Sequence, residues 1–440
     1  MDAQRLRTIL NLALPIVGGM VSQNILSLVD TAMVGTLGPE ALAAVGVAGF
    51  ASFMAAATIM GLASGVQAMT ARRLGEGRED ECAVPLNGGL LLALIIGAPL
   101  ALVLFALAPD LFPYLNGDPG VIADGVPYFQ ARVLAIVGVG MNFAFRGYWT
   151  GVSLTRLYLI TLVVMHLCNV VLNYVLIFGK LGFPALGTTG AGIGTALATY
   201  IGTAIYLALA LRRARRHGFL ERVPRRLTMN SLLRLSIPSA VQQFLFASGM
   251  TVFFWIIGQV GTAETAVSNV IVNLLLVVLL PGMGLGLAAM TLVSLALGRG
   301  EADEARRWGF DVVKLACVIL GMLGLPGIFM PEVLLAGFIH EPDTLRLGVA
   351  PLRLMGAMMI VEAVGLVLMN ALLGAGAAHQ VMVVSVASQW LIGLPAAWLV
   401  GAHWGLGLFA VWLCFEGYRA VNALALLAVW LRGRWTGIRI

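Results

Sequence analysis

Polar side chains inside long apolar segments are the residues of this chain best placed to do chemistry. Asp30 lies in the first such segment, and Gln23, Ser27, Asp30 and Val34 share one helical face at i, i+4, i+7 and i+11. A carboxylate in hydrocarbon costs at least about 3 kcal/mol, so it is a functional candidate by default. Without a nearby positive charge, Asp30 can bind a proton or a sodium ion. The structural alternative is that Asp30 holds two helices together.

A second polar face lies in the fifth apolar segment. His166, Asn169 and Asn173 stand at i, i+3 and i+7, and we expect this face to meet Asp30 on the first helix. Amide and carboxylate oxygens suit a hard cation, so Asp30, Asn169 and Asn173 are the candidate ligands for Na⁺. The alternative is that the asparagines and the histidine only form hydrogen bonds between helices.

Acidic residues also occur in two later segments. Glu362 is a second ion-coupling candidate, with an ion pair or a water-filled cavity as its alternative. Glu416 and Arg419 stand three residues apart in the last segment. This spacing lets them pair with each other on one helical face, which favours a structural role over transport.

The seventh segment combines aromatic rings with methionine, which together can form an adaptable wall that attracts cations. Most aromatic side chains in membrane helices face lipid or pack, so only a minority should contact a ligand. The candidate contacts for an organic cation are Gln23, Ser27, His166, Gln242, Phe246, Met250 and Phe253.

Composition indicates that the elements carrying these residues are membrane helices. Hydrophobic residues make up 60% of the chain and charged residues 11%, against roughly 45–50% and 25% in soluble domains. Gly, Pro and charged residues separate the apolar segments and so predict twelve membrane spans. Each span is near or above the roughly 20 residues needed to cross a bilayer. Their predicted ranges are 9–36, 43–71, 86–108, 122–146, 156–179, 189–212, 230–259, 264–297, 308–330, 345–373, 379–401 and 405–431.

The net charge of +6 reflects topology rather than a nucleic-acid surface, because the basic residues lie in short loops between apolar segments. Arginines concentrate in every second loop and acidic residues in the others. This bias predicts that both termini are cytoplasmic. The four cysteines have no metal-binding or redox spacing. The apolar start continues past Asp30 without a cleavage site, so we expect an uncleaved first helix.

An internal repeat predicts the architecture. An offset of 223 positions aligns Pro15 with Pro238 and Gly61 with Gly284 without a gap. Each half then holds six helices, so the repeats are parallel. The predicted organisation is an N-terminal lobe over 1–212, a basic cytoplasmic linker over 213–229 and a C-terminal lobe over 230–440. The linker's arginines fit the positive-inside rule, with a regulatory or lipid-binding role as the alternative.

Several functional classes are disfavoured by the sequence. A phosphate-binding loop of the ATPase type is missing, which points to energy from an ion gradient. A channel is disfavoured because repeated halves predict alternating lobes, and an intramembrane enzyme because no catalytic His/Glu or Ser/His pair occurs at helical spacing.

Several longer motifs carry a family resemblance. They are Leu12-Ala-Leu-Pro15, Val29-Asp-Thr-Ala-Met-Val-Gly35, Phe145-Arg-Gly-Tyr-Trp-Thr-Gly-Val-Ser-Leu-Thr155, Asn169-Val-Val-Leu-Asn-Tyr174, Gly179-Lys-Leu-Gly-Phe-Pro-Ala-Leu-Gly187 and Gly190-Ala-Gly192. As a set, the chain resembles the multidrug and toxic compound extrusion (MATE) family over essentially its whole length.

The resemblance implies an all-α integral membrane protein whose two parallel-repeat six-helix bundles form a V-shaped central cleft. It implies export of drug-like organic cations by antiport with H⁺ or Na⁺, without a cofactor. We expect a monomer in the lipid bilayer of a bacterial inner membrane. The nearest alternative with the same plan is a flippase for a lipid-linked or peptide substrate.

One departure from the family pattern leaves the coupling site open. NorM-like members carry an acidic residue midway along the seventh helix, whereas the stretch from Gln242 to Met250 has no carboxylate. Glu362 does match the acidic position of that branch in the tenth helix. The resemblance therefore allows a DinF-like site in the N-terminal lobe at Asp30 or a NorM-like site in the C-terminal lobe.

Overall fold

The computed structural model describes residues 2–440, and within that range the chain is helical without a β-strand. The α-helices are α1 (Ala3–Gly35), α2 (Pro39–Met60), α3 (Leu62–Gly75), α4 (Val84–Leu115), α5 (Pro119–Leu134), α6 (Ile136–Gly151), α7 (Thr155–Phe178), α8 (Gly187–Arg213), α9 (Arg226–Val260), α10 (Thr262–Gly298), α11 (Ala302–Phe329), α12 (Pro331–Ala336), α13 (Pro342–Gly374), α14 (Ala378–Ala387), α15 (Leu394–Trp398) and α16 (Leu408–Arg432).

The predicted set of membrane spans is confirmed. Eleven helical stretches of residues 2–440 are long and apolar enough to cross a bilayer, and α2 with α3 forms one of them. The pair α5 and α6 passes the same test together, with a bend of 45° between its helices. Counted as one span, this pair completes the twelve.

Two predicted spans are less regular than a simple helix. The bend between α5 and α6 lies at Ala135, whose N–H bonds back to Arg132 and Val133 instead of four residues back. The eleventh span passes from α14 into π-helix over Ser388–Gly393, and again over Leu399–His403 after α15. Pro395 has no N–H to donate, which accounts for a change of helix type beside it.

The described residues form two compact units. The first unit is Gly18–Val241, and the second unit is Gln242–Ile440 together with the residues before Gly18. Both α1 and α9 are therefore divided, each between the two units. The lobe boundaries predicted from the repeat, 1–212 and 230–440, stay a prediction.

Repeat-related glycines allow close helix packing inside each unit. In the first unit, a Cβ on Gly61 would lie 2.6 Å from the backbone nitrogen of Ala240 on α9. In the second unit, a Cβ on Gly284 would lie 3.2 Å from the carbonyl oxygen of Ala13 on α1. A larger side chain would separate the helices at either position, which explains why the offset of 223 residues preserves these two glycines.

Ion pairs hold acidic residues of α11 in one unit and of the segment between α3 and α4 in the other. In the second unit, Arg5 pairs with Glu304 and with Asp311, at 2.6 Å, which accounts for α1 beginning at Ala3 rather than near residue 9. In the first unit, Arg222 of the linker pairs with Asp80 at 2.5 Å and Glu81 at 2.9 Å. In both units an arginine from another segment thus pairs with two acidic residues.

Within the first unit, hydrogen bonds also anchor the linker to α4 and α6. Asn87 of α4 donates to the carbonyl oxygens of Gly218 and Arg222, each at 2.9 Å, and accepts from the Leu220 N–H. His217 Nδ1 lies 2.6 Å from the Tyr148 hydroxyl. Burial and the neighbouring Arg216 lower the pKa of His217, so the neutral ring accepts this hydroxyl hydrogen.

Candidate functional site

The first candidate site lies where α7 packs on α1 within the first unit. Asn173 Nδ2 donates to Asp30 Oδ1 at 2.8 Å and to Asn169 Oδ1 at 3.0 Å. Both asparagines are buried, and Asp30 is half-buried. The predicted contact between the polar faces of these two helices is confirmed. It follows from their heptad-like spacing, which keeps i, i+4 and i+7 on one side.

Two polar atoms at this site have no hydrogen-bond partner among the described residues. They are Asn169 Nδ2 and Asn173 Oδ1, both buried. Gly194 of α8 lies directly against Asn173, where a Cβ would be 3.2 Å from its backbone nitrogen and closer still to Oδ1. Asn173 therefore offers a buried acceptor without a donor among the described residues, on the same side chain whose Nδ2 bonds to Asp30.

Asp30 is also subject to a longer-range electrostatic influence that the sequence did not predict. The Arg132 guanidinium on α5 attracts its carboxylate electrostatically. Within residues 2–440, however, no cationic nitrogen reaches Asp30 at salt-bridge distance. The sequence did not reveal Arg132 because it lies about 100 positions away, and periodicity relates residues only within one helix.

His166 lies on the same face of α7 but bonds elsewhere on α1. Its Nε2 is 3.1 Å from Gln23 Oε1, and its Nδ1 is 2.7 Å from Ser22 Oγ. With the Nε2 hydrogen donated to Gln23, Nδ1 accepts the Ser22 hydroxyl. His166 thus orients Gln23 and does not contact Asp30. Ser27, the other substrate candidate on α1, is exposed.

The acidic candidate in the second unit is an ion pair. Arg419 of α16 donates from Nε and Nη2 to the two oxygens of Glu362 on α13. The predicted pairing of Arg419 with Glu416 is wrong. Glu416 is 1% exposed, and its two oxygens have no hydrogen-bond partner among the described residues. Arg419 pairs with Glu362 rather than with Glu416 because the bidentate geometry gives both oxygens of Glu362 a hydrogen bond at once.

The substrate candidates on α9 differ in their surroundings. Phe253 is buried and packs on Phe415 with ring centroids 4.4 Å apart. Gln242 donates to Met369 Sδ at 3.0 Å and to Ser385 Oγ at 3.3 Å. Phe246 is 44% exposed, and Met250 is partly exposed. Phe246 and Met250 thus have surface left uncovered by the protein, whereas Phe253 has its face already covered.

The sequence comparisons identify the family of the chain. The MatE family model matches residues 15–175 and 238–399, which places the two matches at the 223-residue offset and confirms the repeat. A "Probable multidrug resistance protein NorM" of Thermotoga maritima is 25% identical, covering 98% of this chain and 93% of its own. A protein of the same description from Mesorhizobium japonicum is 28% identical, with 98% and 94% covered.

Solved structures share the fold. A multidrug resistance MATE family transporter in an outward-facing conformation superposes with a TM-score of 0.88 at 21% identity, covering 98% of this chain and 95% of that one. The eukaryotic MATE transporter AtDTX14 gives 0.85 at 19% identity, with 98% and 97% covered. The chain therefore belongs to the MatE family, and it is a multi-pass membrane transporter of the multidrug and toxic compound extrusion type rather than an enzyme.

Proposed function

We propose that this chain exports organic cations by antiport with an inward-moving H⁺ or Na⁺, and that Asp30 couples the two movements. The observation that carries the proposal is the Asp30 carboxylate inside a membrane span, held at 2.8 Å by Asn173. A half-buried carboxylate of this kind binds either a small cation or a proton in preference to standing charged in hydrocarbon.

Antiport follows if the ion and the substrate exclude each other at one carboxylate. Protonation or Na⁺ binding cancels the charge of Asp30, and a cationic substrate is then bound less tightly. The ion must also favour a different conformation from that favoured by the substrate, since a ligand with equal affinity for both states shifts no population. The predicted repeat supplies the two halves that would change arrangement.

The two ions make different demands on the asparagines. A proton needs only Asp30. Sodium needs several oxygen ligands, which Asp30, Asn169 Oδ1 and Asn173 Oδ1 would supply. Replacing both asparagines with alanine should therefore abolish sodium-driven efflux, whereas proton-driven efflux should be retained in part.

The substrate contacts are proposed separately for each unit. In the first unit they are Gln23, Ser27 and His166. In the second unit they are Gln242, Phe246 and Met250, whereas Phe253 is left out because Phe415 covers its ring. We further propose a monomer in a bacterial inner membrane with both termini in the cytoplasm, where the arginine-rich loops would lie.

The test is efflux of a fluorescent organic cation from proteoliposomes under an imposed proton gradient or an imposed sodium gradient. Asp30→Asn should abolish gradient-driven efflux while leaving the fold intact. The matched control is Asp343→Asn, because the Asp343 side chain is 91% exposed at the start of α13. Efflux with this control should equal that of the native chain.

Each outcome has a distinct meaning. Loss of efflux in Asp30→Asn alone supports the proposal, and the effective gradient identifies the ion. Unchanged efflux in Asp30→Asn would transfer coupling to Glu362, the second coupling candidate. If the native chain moves no organic cation under either gradient, antiport is refuted, and transport of a lipid-linked or peptide substrate becomes the function to test.

A further inference from the structure

Glu416 is a buried carboxylate that the proposed coupling site does not use. It lies in the middle of α16, it is 1% exposed, and both of its oxygens lack a hydrogen-bond partner among the described residues. An ionised carboxylate in that position would lack any compensating hydrogen bond, which costs several kcal/mol by order of magnitude. Some cation must compensate it, or it must be neutral.

The charges that act on Glu416 are few. They belong to Glu362 on α13 and to Arg419 on its own helix, and the nearby Tyr418 phenol carries none. The other titratable side chains on the elements packed closely against α16 are exposed; they are Asp343, Arg346, Arg353, His379, His403 and Arg434. Two carboxylates thus share one guanidinium, and the group of three carries one negative charge in excess when all are ionised.

Arg419 donates hydrogen bonds to both oxygens of Glu362 and to neither oxygen of Glu416. Its Nε and Nη2 donate to Glu362, and within residues 2–440 its Nη1 donates to no acceptor. Glu416 and Arg419 are three residues apart on one helical face, so the guanidinium can serve either acid by a change of rotamer. A bidentate pair can form with only one acid at a time.

We propose that Glu416, Arg419 and Glu362 form a second proton-binding site in which one proton and one guanidinium are exchanged between two carboxylates. This inference rests on the proposed function, because it adds a proton to the ion movement of the antiporter. In the observed arrangement Arg419 pairs with Glu362, and the proton resides on Glu416.

The exchange balances without any other reactant. The O–H bond of Glu416 breaks, and Glu416 becomes a carboxylate that takes over the Arg419 guanidinium. Glu362 loses its ion pair and accepts a proton, so that the net charge of the group is unchanged. The side chains of Glu362 and Arg419 are 8% and 15% exposed, whereas Glu416 is 1% exposed. Glu362 is the more accessible of the two acids, so in this proposal protons enter at Glu362 and are stored at Glu416.

The test is infrared difference spectroscopy on the purified full-length chain, which detects the carbonyl stretch of a protonated carboxylic acid at neutral pH. Glu416→Gln should remove one such band. Asp30→Asn should leave that band in place, which separates this site from the proposed coupling site. Glu332→Gln is the control for an exposed glutamate and should change nothing.

A second variant keeps the proposal open to refutation if Glu416→Gln does not fold. Arg419→Met removes the guanidinium, so both acids should become neutral, with about one additional proton bound per molecule. A protonated-carboxyl region of the spectrum that is the same in Glu416→Gln as in the native chain would overturn the proposal, as would an unchanged band intensity in Arg419→Met. Failure of the native chain to transport organic cations would refute the antiport while leaving these spectra unaffected.

Discussion

Removing the Arg419 guanidinium should destabilise the second unit far more than removing its partner Glu362. The side chain of Glu362 is 8% exposed, and that of Glu416 is more deeply buried. Arg419→Met would leave both acids without a positive charge, and breaking a buried ion pair in this way costs about 3–5 kcal/mol. For a unit of this size, that loss lowers Tm by on the order of 10 °C.

Glu362→Gln should be milder, because Arg419 can then pair with Glu416. We expect a loss on the order of 1–2 kcal/mol, the cost of one imperfect hydrogen-bonded pair. The double variant Glu362→Gln/Arg419→Met removes both charges of the observed pair. It should therefore be more stable than Arg419→Met alone, because replacing both members of a buried ion pair is often nearly neutral.

The assay is thermal unfolding of the purified chain in detergent, followed by tryptophan fluorescence. Arg346→Met is the matched control, because Arg346 is 81% exposed on α13 and its loss should leave Tm unchanged. A Tm for Arg419→Met equal to that of the control would refute the reasoning. The reasoning would also be refuted if the loss of stability in the double variant equalled the sum of the losses in the two single variants.

Three further changes test other parts of the structure. Gly194→Ala should push the Asn173 side chain away from Asp30, because the new Cβ would overlap it, and overpacking of this kind costs about 1–3 kcal/mol of stability. Gradient-driven efflux should fall as well. Gly46→Ala is the control and should be tolerated, because a Cβ there meets nothing within 4 Å. Burial lowers the pKa of His217 in the folded chain, so the unfolded chain takes up a proton at a higher pH than the folded chain does. The free energy of unfolding should therefore fall as the pH drops from about 7 to 5. In His217→Gln, the Tm should change less over that pH range. Arg222→Ala should cost less than about 1 kcal/mol, since its side chain is 47% exposed, yet it should speed tryptic cleavage of the linker; unchanged cleavage would show that the hydrogen bonds hold the linker without it.

The spans could be predicted from the sequence because lipid imposes a local rule. Every backbone polar group in the bilayer must be bonded within its own helix, so length and apolarity alone identify a span. The repeat was equally visible, since Pro15 and Pro238, and Gly61 and Gly284, keep one offset. Periodicity also placed Asn169 and Asn173 on the face that meets Asp30, because spacing along one helix determines which residues share a side.

Pairing between helices could not be predicted in the same way. Glu362 and Arg419 are 57 positions apart, and their ion pair forms because α13 and α16 are adjacent in the fold. Spacing alone favoured the local pair of Glu416 with Arg419, which the structure replaces with the bidentate contact across helices. The influence of Arg132 on Asp30 was hidden for the same reason.

The sequence by itself thus determined that this chain is a twelve-span, twice-repeated membrane protein, and which of its polar residues lie in hydrocarbon. Only the tertiary structure decided which of those residues have a hydrogen-bond donor or a positive charge beside them and which do not. The physical reason is that membrane insertion depends on the composition of each segment separately, whereas the charge state of a buried acid depends on the donors that neighbouring helices bring to it. Asp30 accepts a hydrogen bond from Asn173, and Glu362 pairs with the Arg419 guanidinium. Glu416 accepts no hydrogen bond from the described residues.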